Sequence, residues 1–296
     1  MYTISEYVVF YLMIDSIGYY EDLKSIGVKD ESLQVEKSQS KEMVDSLVAL
    51  FCAVDKDLRM FDGYATGVGE YGMQMQQFGP ILLAYTKNIN EESAKSVYSL
   101  MAIRLPRILR KMGVNCRFVR GAMVKGFGWD IEVAGCRTLY GPVMNKAWDY
   151  LTNKAYSLRI IIEQELFKVL SNRQSYGPGK DGDWLPLYAT TDYDGQGIFD
   201  YLACDRNSSG VLHDTEEVVI EEMSLTLKAI QRIISNLVGV YYIHDNSKTV
   251  RKLWALREYV LKSISLWTKR DKLDILRELD SNINRLYEKI KKLNLN

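Results

Sequence analysis

Two aspartates stand where they could hold a divalent metal ion against a triphosphate. Asp15 directly follows the apolar run Tyr7 to Ile14, and Asp62 follows Leu-Arg-Met-Phe 47 residues further along. Carboxylates at the ends of neighbouring strands, completed by water and phosphate oxygens, suit Mg²⁺ or a similar cation such as Mn²⁺. A lone aspartate after an apolar strand is more often a helix cap or a turn residue. The metal hypothesis therefore depends on the pair.

The charge balance and the cysteines exclude other classes of function. Lys plus Arg and Asp plus Glu both total 38, so no net field favours nucleic acid or membrane surfaces. The four cysteines have no CxxC spacing and only two histidines are present, which disfavours a zinc site. There is no basic leader, and the first apolar run is too short to span a bilayer. We expect a cytoplasmic protein that binds neither nucleic acid nor membranes.

The elements around the two aspartates read as strands alternating with helices. Tyr7 to Ile14 predicts a strand buried on both faces, which requires helices on both sides of its sheet. Lys41 to Val54 has the spacing of an amphipathic helix. Arg59 to Thr66 and Gly79 to Thr86 predict a hairpin whose connection carries the glycines Gly67, Gly69 and Gly72.

The next segment repeats this order. Glu91 to Met112 predicts a helix that Gly113 closes. Cys116 to Val124 and Ile131 to Thr138 predict a second hairpin. Pro142 to Ala155 predicts a helix with proline in its first turn, and Leu158 to Ile162 a short strand. The sequence β-α-β-β-α-β is the ferredoxin-like pattern, so the predicted fold class is α+β.

The last third of the chain changes character. Asn172 to Leu187 is a connector rich in Gly, Pro, Asp and Ser, and Gly197 to Ala203 predicts an edge strand. Three segments then have helical spacing with charged outer faces: Glu216 to Val240, Ser247 to Trp267 and Leu273 to Leu293. We therefore expect a catalytic domain over residues 1–205 and a helical C-terminal region over residues 206–296.

Four segments, in register over about Tyr7 to Phe167, resemble motifs of the class III nucleotide cyclases. They are Met13-Ile-Asp-Ser-Ile-Gly-Tyr-Tyr20, Arg59-Met-Phe-Asp-Gly-Tyr-Ala-Thr-Gly67, Val119-Arg-Gly-Ala-Met-Val-Lys-Gly126 and Tyr140-Gly-Pro-Val-Met-Asn-Lys-Ala147. Several of their variants are similar to divergent bacterial members, including the pyrimidine cyclases of the Pycsar antiphage system. The resemblance implies a cyclase palm that forms a 3′,5′-cyclic nucleotide and pyrophosphate from a nucleoside triphosphate.

The resemblance also assigns roles to residues. It implies that Asp15 and Asp62 bind Mg²⁺ or Mn²⁺, and that Asn145 orients the ribose from the partner subunit of a homodimer. The backbone after the first aspartate would cradle phosphate, where Gly18 permits close approach. The residues of that loop are Ser16, Ile17, Gly18 and Tyr19.

This chain departs from the family at two points. Asp149 stands where the family has an arginine that stabilises the transition state, so Arg159 or Arg120 would have to supply the cation. The residue pair that reads adenine is also absent. Arg59 could donate to a pyrimidine carbonyl and Tyr64 could stack on the base, although both are equally compatible with ordinary strand positions. A pyrimidine is therefore favoured over adenine.

Three hypotheses follow from these observations. The first is an active, dimeric, metal-dependent cyclase, with a signalling role in antiphage defence as its extension. The second is a cyclase-like nucleotide-binding or regulatory module that has lost catalysis and acts through its helical tail, and Asp149 is its main support. The third keeps the palm but assigns nucleotide polymerisation, since palm polymerases also use paired carboxylates. Fold kinship alone does not choose among them.

Overall fold

One sheet organises the part of the chain that the computed structural model describes. That part comprises residues 4–14, 74–78, 81–88, 94, 95, 97, 98, 105, 106, 109, 110, 112–114, 118–133, 136–155, 158–172, 188–192, 194–202, 215–240, 247–272, 274 and 275. Eight strands pair in it: β1 (Ser5–Ile14), β2 (Gln74–Phe78), β3 (Ile81–Lys87), β4 (Val119–Val133), β5 (Cys136–Tyr140), β6 (Ile160–Ile162), β7 (Ala189–Thr191) and β8 (Gly197–Phe199). Their order is β2-β3-β1-β4-β6-β8-β7, and β5 pairs with β4 beside this path.

The first four strands have the ferredoxin-like arrangement. They lie in the order β2-β3-β1-β4, and each neighbouring pair is antiparallel. β1 is central and apolar from Tyr7 to Ile14, so both of its faces need cover. Val8, Phe10 and Leu12 face one core cluster, whereas the alternate residues Tyr7, Val9 and Tyr11 face the other. The predicted α+β fold class is confirmed.

Helices cover both faces of the sheet. They are α1 (Pro142–Asp149), α2 (Gln164–Leu170), α3 (Glu216–Val240) and α4 (Ser247–Thr268), with a π-helical turn at Tyr150–Lys154 after α1. The described residues between 94 and 114 are also helical. This segment, α2, α3 and α4 contribute to the core cluster on one face, while α1 and the π-helical turn cover the other. None of the described helices has the length and apolar character needed to cross a membrane.

The structure corrects three element predictions. The hairpin partner of β3 is Gln74–Phe78 rather than Arg59 to Thr66, which lies outside the described residues. β4 continues through Gly126 and Gly128 instead of turning there, because both glycines leave room for Val143 of α1. The predicted edge strand, β8, lies between β6 and β7, and β7 forms the edge.

Candidate active site

Most of the predicted active-site residues fall outside the described part of the chain. These are the metal ligands Asp15 and Asp62, the loop residues Ser16, Ile17, Gly18 and Tyr19, and the base-reading candidates Arg59 and Tyr64. Within the described residues no group of three or more His, Cys, Asp or Glu is arranged to hold a metal ion. The metal site therefore stays a prediction. Arg120, Asn145 and Arg159 are described.

Arg120 lies beside the strand end that leads to Asp15. In the pairing of β1 with β4, Met13 is opposite Arg120 and Ile14 is opposite Val119. Paired residues in an antiparallel ladder have Cα atoms about 4.5–5.5 Å apart. The Arg120 guanidinium is half-buried, and its Nη1 donates to the Leu151 carbonyl oxygen at 3.4 Å. A cation thus stands on the neighbouring strand where the chain leaves β1.

Asn145 lies on α1, whose start is fixed by a glycine. Gly141 has a φ of 115°, and a Cβ atom there would approach the Trp129 ring to 2.8 Å, so the position favours glycine sterically and conformationally. Pro142 then begins the helix. Asn145 is exposed, and so is Asp149 one turn later, whose carboxylate accepts a hydrogen bond from Asn153 Nδ2 at 2.6 Å. The face that carries Asn145 therefore carries a solvated anion.

A buried carboxylate anchors this helix to the sheet. Glu163, which is 7% exposed, accepts hydrogen bonds from the Lys125 backbone N–H at 2.8 Å and from Lys146 Nζ. Lys146 Nζ also donates to the Lys125 carbonyl oxygen at 2.9 Å. The network joins α1, β4 and the end of β6. It fixes the helical residue next to Asn145. The sequence signal for it was Glu163 directly after three isoleucines, and the sequence interpretation did not use it.

Arg159 is held in a different place from the other two residues. Arg159 is 8% exposed, and its guanidinium binds two aspartates of the turn between β7 and β8. Nη1 lies 2.5 Å from Asp192 Oδ2 and 2.9 Å from Asp194 Oδ1, and Nη2 donates to the Lys154 carbonyl oxygen at 3.2 Å. The backbone is adjacent to β4, since Gly121 N–H donates to the Arg159 carbonyl at 3.0 Å. The side chain itself reaches Asp192 and Asp194 in the turn between β7 and β8. A catalytic role for Arg159 stays a prediction.

The carboxylates decide the charge state of this cluster. Burial alone would lower the pKa of Arg159, but the hydrogen bonds and charges of Asp194 and Asp192 outweigh burial and raise it. The hydrogen bond from Arg159 in turn lowers the pKa of Asp194. The guanidinium could bind phosphate only by exchanging these carboxylates for it.

Among the comparisons with known proteins, the search of solved structures found similar chains. No family model matches the sequence, and no curated protein matches it either. The adenylyl cyclase CyaB from P. aeruginosa is 14% identical with a TM-score of 0.37, over 57% of this chain and 81% of its own. The monomeric guanylyl cyclase domain of the RhoGC fusion protein from the aquatic fungus Blastocladiella emersonii is 13% identical with a TM-score of 0.39, over 67% and 95%.

A third solved structure extends over more of the chain. A class III adenylyl cyclase-like ATP-binding protein from Pseudomonas aeruginosa is 13% identical with a TM-score of 0.35, over 88% of this chain and 59% of its own. All three TM-scores lie below 0.5.

Proposed function

We propose that this chain is a metal-dependent nucleotide cyclase. It converts a nucleoside triphosphate to a 3′,5′-cyclic nucleotide and pyrophosphate. The supporting observation is the strand register at the end of β1, where Ile14 and Met13 lie opposite Val119 and Arg120. Asp15 follows Ile14 directly in the sequence, and Arg120 lies on the strand that pairs with this end of β1. The donor set of two aspartate carboxylates fits Mg²⁺ or Mn²⁺.

The residues support the chemistry in the following way. The ribose 3′ oxygen attacks the α-phosphorus, its proton leaves to solvent, and the bond to the β-phosphate breaks to release pyrophosphate. A bound cation supplies neutralising charge at the phosphate oxygens. Asp15 and Asp62 would hold it, Ser16, Ile17, Gly18 and Tyr19 would cradle phosphate, and Asn145 would orient the ribose. Arg120 or Arg159 would stabilise the charge that develops in the transition state.

The finer assignments rest on the sequence. A pyrimidine base is favoured because the adenine-reading pair is absent, with Arg59 and Tyr64 as its proposed contacts. A homodimer is proposed because Asn145 would act from the partner subunit. The proposed dimer interface includes three exposed aromatic side chains on β4, β5 and α1, namely Phe127, Tyr140 and Trp148. A cytoplasmic location and a role in antiphage signalling extend the same proposal.

The decisive experiment offers each of the four ribonucleoside triphosphates with Mn²⁺ or Mg²⁺ and identifies the products by mass spectrometry. We expect a cyclic nucleotide and pyrophosphate from CTP or UTP, and loss of both products in Asp15→Asn and Asp62→Asn. Glu132→Gln is a matched control, because Glu132 is an exposed carboxylate on β4 that has no part in the proposed site. No cyclic product from any nucleotide would overturn the proposal. Linear or dinucleotide products would favour polymerisation instead.

A second candidate is a nucleotide-binding or regulatory module without catalysis. Asp149 favours it, because this exposed carboxylate lies one helical turn from Asn145 and would repel a triphosphate. Calorimetry separates the two candidates. Saturable binding of a nucleoside triphosphate without release of pyrophosphate supports the module, whereas turnover supports the cyclase. Asp149→Arg should then raise turnover if the anion is what limits the reaction.

A further inference from the structure

A cleft of about 590 Å³ opens between α4 and the β7 edge of the sheet, and Arg159, which its ion pairs hold against the β7–β8 turn, also lines it. Thr190 and Thr191 of β7 form one wall, and Leu158 and Phe199 form part of the floor. Adjacent residues of a strand point to opposite faces. A cavity that touches both threonines therefore runs along the strand edge. The volume lies in the range of small-molecule sites.

The opposite wall is a single face of α4. Trp254, Glu258, Lys262 and Leu266 line the cleft at intervals of four residues, so they share one side of the helix. Core residues such as Val260 lie on another side of α4. Four residues advance a helix by about 6 Å, so this wall is about 18 Å long. The cleft suits an elongated ligand.

The indole of Trp254 forms one end of this wall. Trp254 is 46% exposed, and the guanidinium carbon of Arg257 lies 4.7 Å from its ring centroid. One face of the indole is therefore covered and held in place, while much of the ring still meets solvent. Such a ring offers a stacking surface to a flat apolar group.

Lys262 is the charged residue of the cleft without a described partner, whereas the neighbouring cation Lys272 lies 3.9 Å from Glu258 Oε2. The three carboxylates of the cleft each have a described partner. Asp192 binds Arg159, Glu258 binds Arg257 at 2.9 Å, and Asp200 accepts from the Tyr259 hydroxyl at 2.5 Å. Burial, together with the charge of Asp200, raises the pKa of Tyr259, which keeps that hydroxyl protonated. Among the described residues, the Lys262 ammonium group makes no hydrogen bond or ion pair, and it lies two turns from Trp254.

We propose that this cleft binds an elongated organic anion, with a flat apolar body against Trp254 and the floor of the cleft and its anionic group on Lys262. The two anchors are about 12 Å apart along the helix axis, and the flexible lysine side chain shortens that span. The ligand would thus be an amphipathic ring-bearing carboxylate, sulfonate or phosphate. The site is separate from the strand end at which Asp15 begins.

Two matched dyes test both parts of the proposal on the full chain. 8-Anilinonaphthalene-1-sulfonate carries an anionic group, and N-phenyl-1-naphthylamine has the same rings without it. Fluorescence titration should show saturable binding of the sulfonate dye at one site per chain. Lys262→Glu should weaken the sulfonate dye about tenfold or more and leave the neutral dye unchanged, as expected for loss of a charged contact. Ala255→Phe, which fills the cleft, should weaken both dyes.

Lys228→Glu on the exposed face of α3 makes the same charge change outside the cleft and should leave both dyes unaffected. Circular-dichroism melting of each variant separates dye binding from partial unfolding. The proposal is overturned if the wild-type chain gives no saturable signal. It is also overturned if Lys262→Glu and Lys228→Glu weaken the sulfonate dye equally, or if a folded Ala255→Phe variant retains full binding.

Discussion

The ion pair between Arg159 and Asp194 makes a contribution to stability that depends on pH. The Arg159 hydrogen bond lowers the folded-state pKa of Asp194 below the ordinary value of 3.8 that it has when the chain is unfolded. The stabilisation is therefore fully present above that ordinary value and is lost as the pH falls through the lower folded-state pKa. The pair contributes at neutral pH and fails in strong acid.

Asp194→Asn should accordingly reduce the free energy of unfolding at pH 7 and have a smaller effect near pH 3. Urea denaturation of both proteins at the two pH values measures this difference. The control repeats the substitution in an Arg159→Gln background. Without the guanidinium, the effect of Asp194→Asn on the free energy of unfolding should be the same at both pH values. An equal loss of stability at both pH values would show that the two residues do not act as an ion pair.

At the scale of elements, the anchor of α1 is the contact most directly tied to the candidate site. Glu163 joins Lys146 of α1 to the Lys125 backbone, whereas Glu165 makes an exposed ion pair with Lys125 Nζ at 2.8 Å. Glu163→Gln should lower the free energy of unfolding by about 1–2 kcal/mol, a range that allows for partial solvent screening of Lys146. Chemical denaturation gives the value.

Glu165→Gln is the matched control two residues away and should be neutral, because exposed ion pairs contribute little. If α1 positions Asn145, then Glu163→Gln should also raise KM for the nucleotide more than it lowers kcat, since the ribose contact would be loosened. Equal stabilities for the two variants would mean that burial of Glu163 contributes nothing.

Elements with strong local patterns could be predicted from the sequence, and elements made by pairing could not. β1 and α3 were predicted correctly, α3 with the bounds that the structure shows, because their apolar spacing is local. β2 was missed, since Gln74–Phe78 has no apolar alternation and is extended through its pairing with β3. The edge order of β7 and β8 depends likewise on tertiary pairing.

The same distinction applies to the candidate site. The strand of Arg120 and the helix of Asn145 follow from local sequence, so both were placed on the correct elements. The partners of Arg159 lie 33 and 35 residues later, in a turn between two three-residue strands. No local pattern reports such a contact, because it exists only once the sheet is assembled.

For the whole molecule, the C-terminal helices are part of the core that supports the sheet. Met223 and Leu227 of α3 and Leu256 of α4 belong to the same buried cluster as Phe10 and Leu12 of β1. We therefore expect residues 1–205 expressed alone to lack cooperative unfolding in urea, because removing the helices exposes this apolar face. The contrary outcome is one sharp transition, in which the free energy of unfolding depends on urea concentration as steeply, per residue, as it does in the full-length chain. That result would support two independent domains with the proposed boundary.

The proposed assembly makes the final prediction, which concerns two inactive variants. If each site takes Asp15 from one subunit and Asn145 from its partner, Asp15→Asn and Asn145→Ala should each be inactive as homodimers. Mixed and allowed to exchange subunits, half of the dimers are heterodimers, and each has one intact site of two. Pyrophosphate release should then recover to about a quarter of the wild-type rate.

The exposed aromatic residues provide the control for this mixture. Tyr140→Glu, introduced into both variants, should prevent dimerisation and abolish the recovery of activity. The Tyr140 side chain is 57% exposed, and a carboxylate in its place disfavours an apolar interface. Light scattering measures the dimer. Retention of activity by Asn145→Ala alone would remove that residue from the site. Heterodimers that form without any return of activity would place both residues in one subunit and end the case for a shared site.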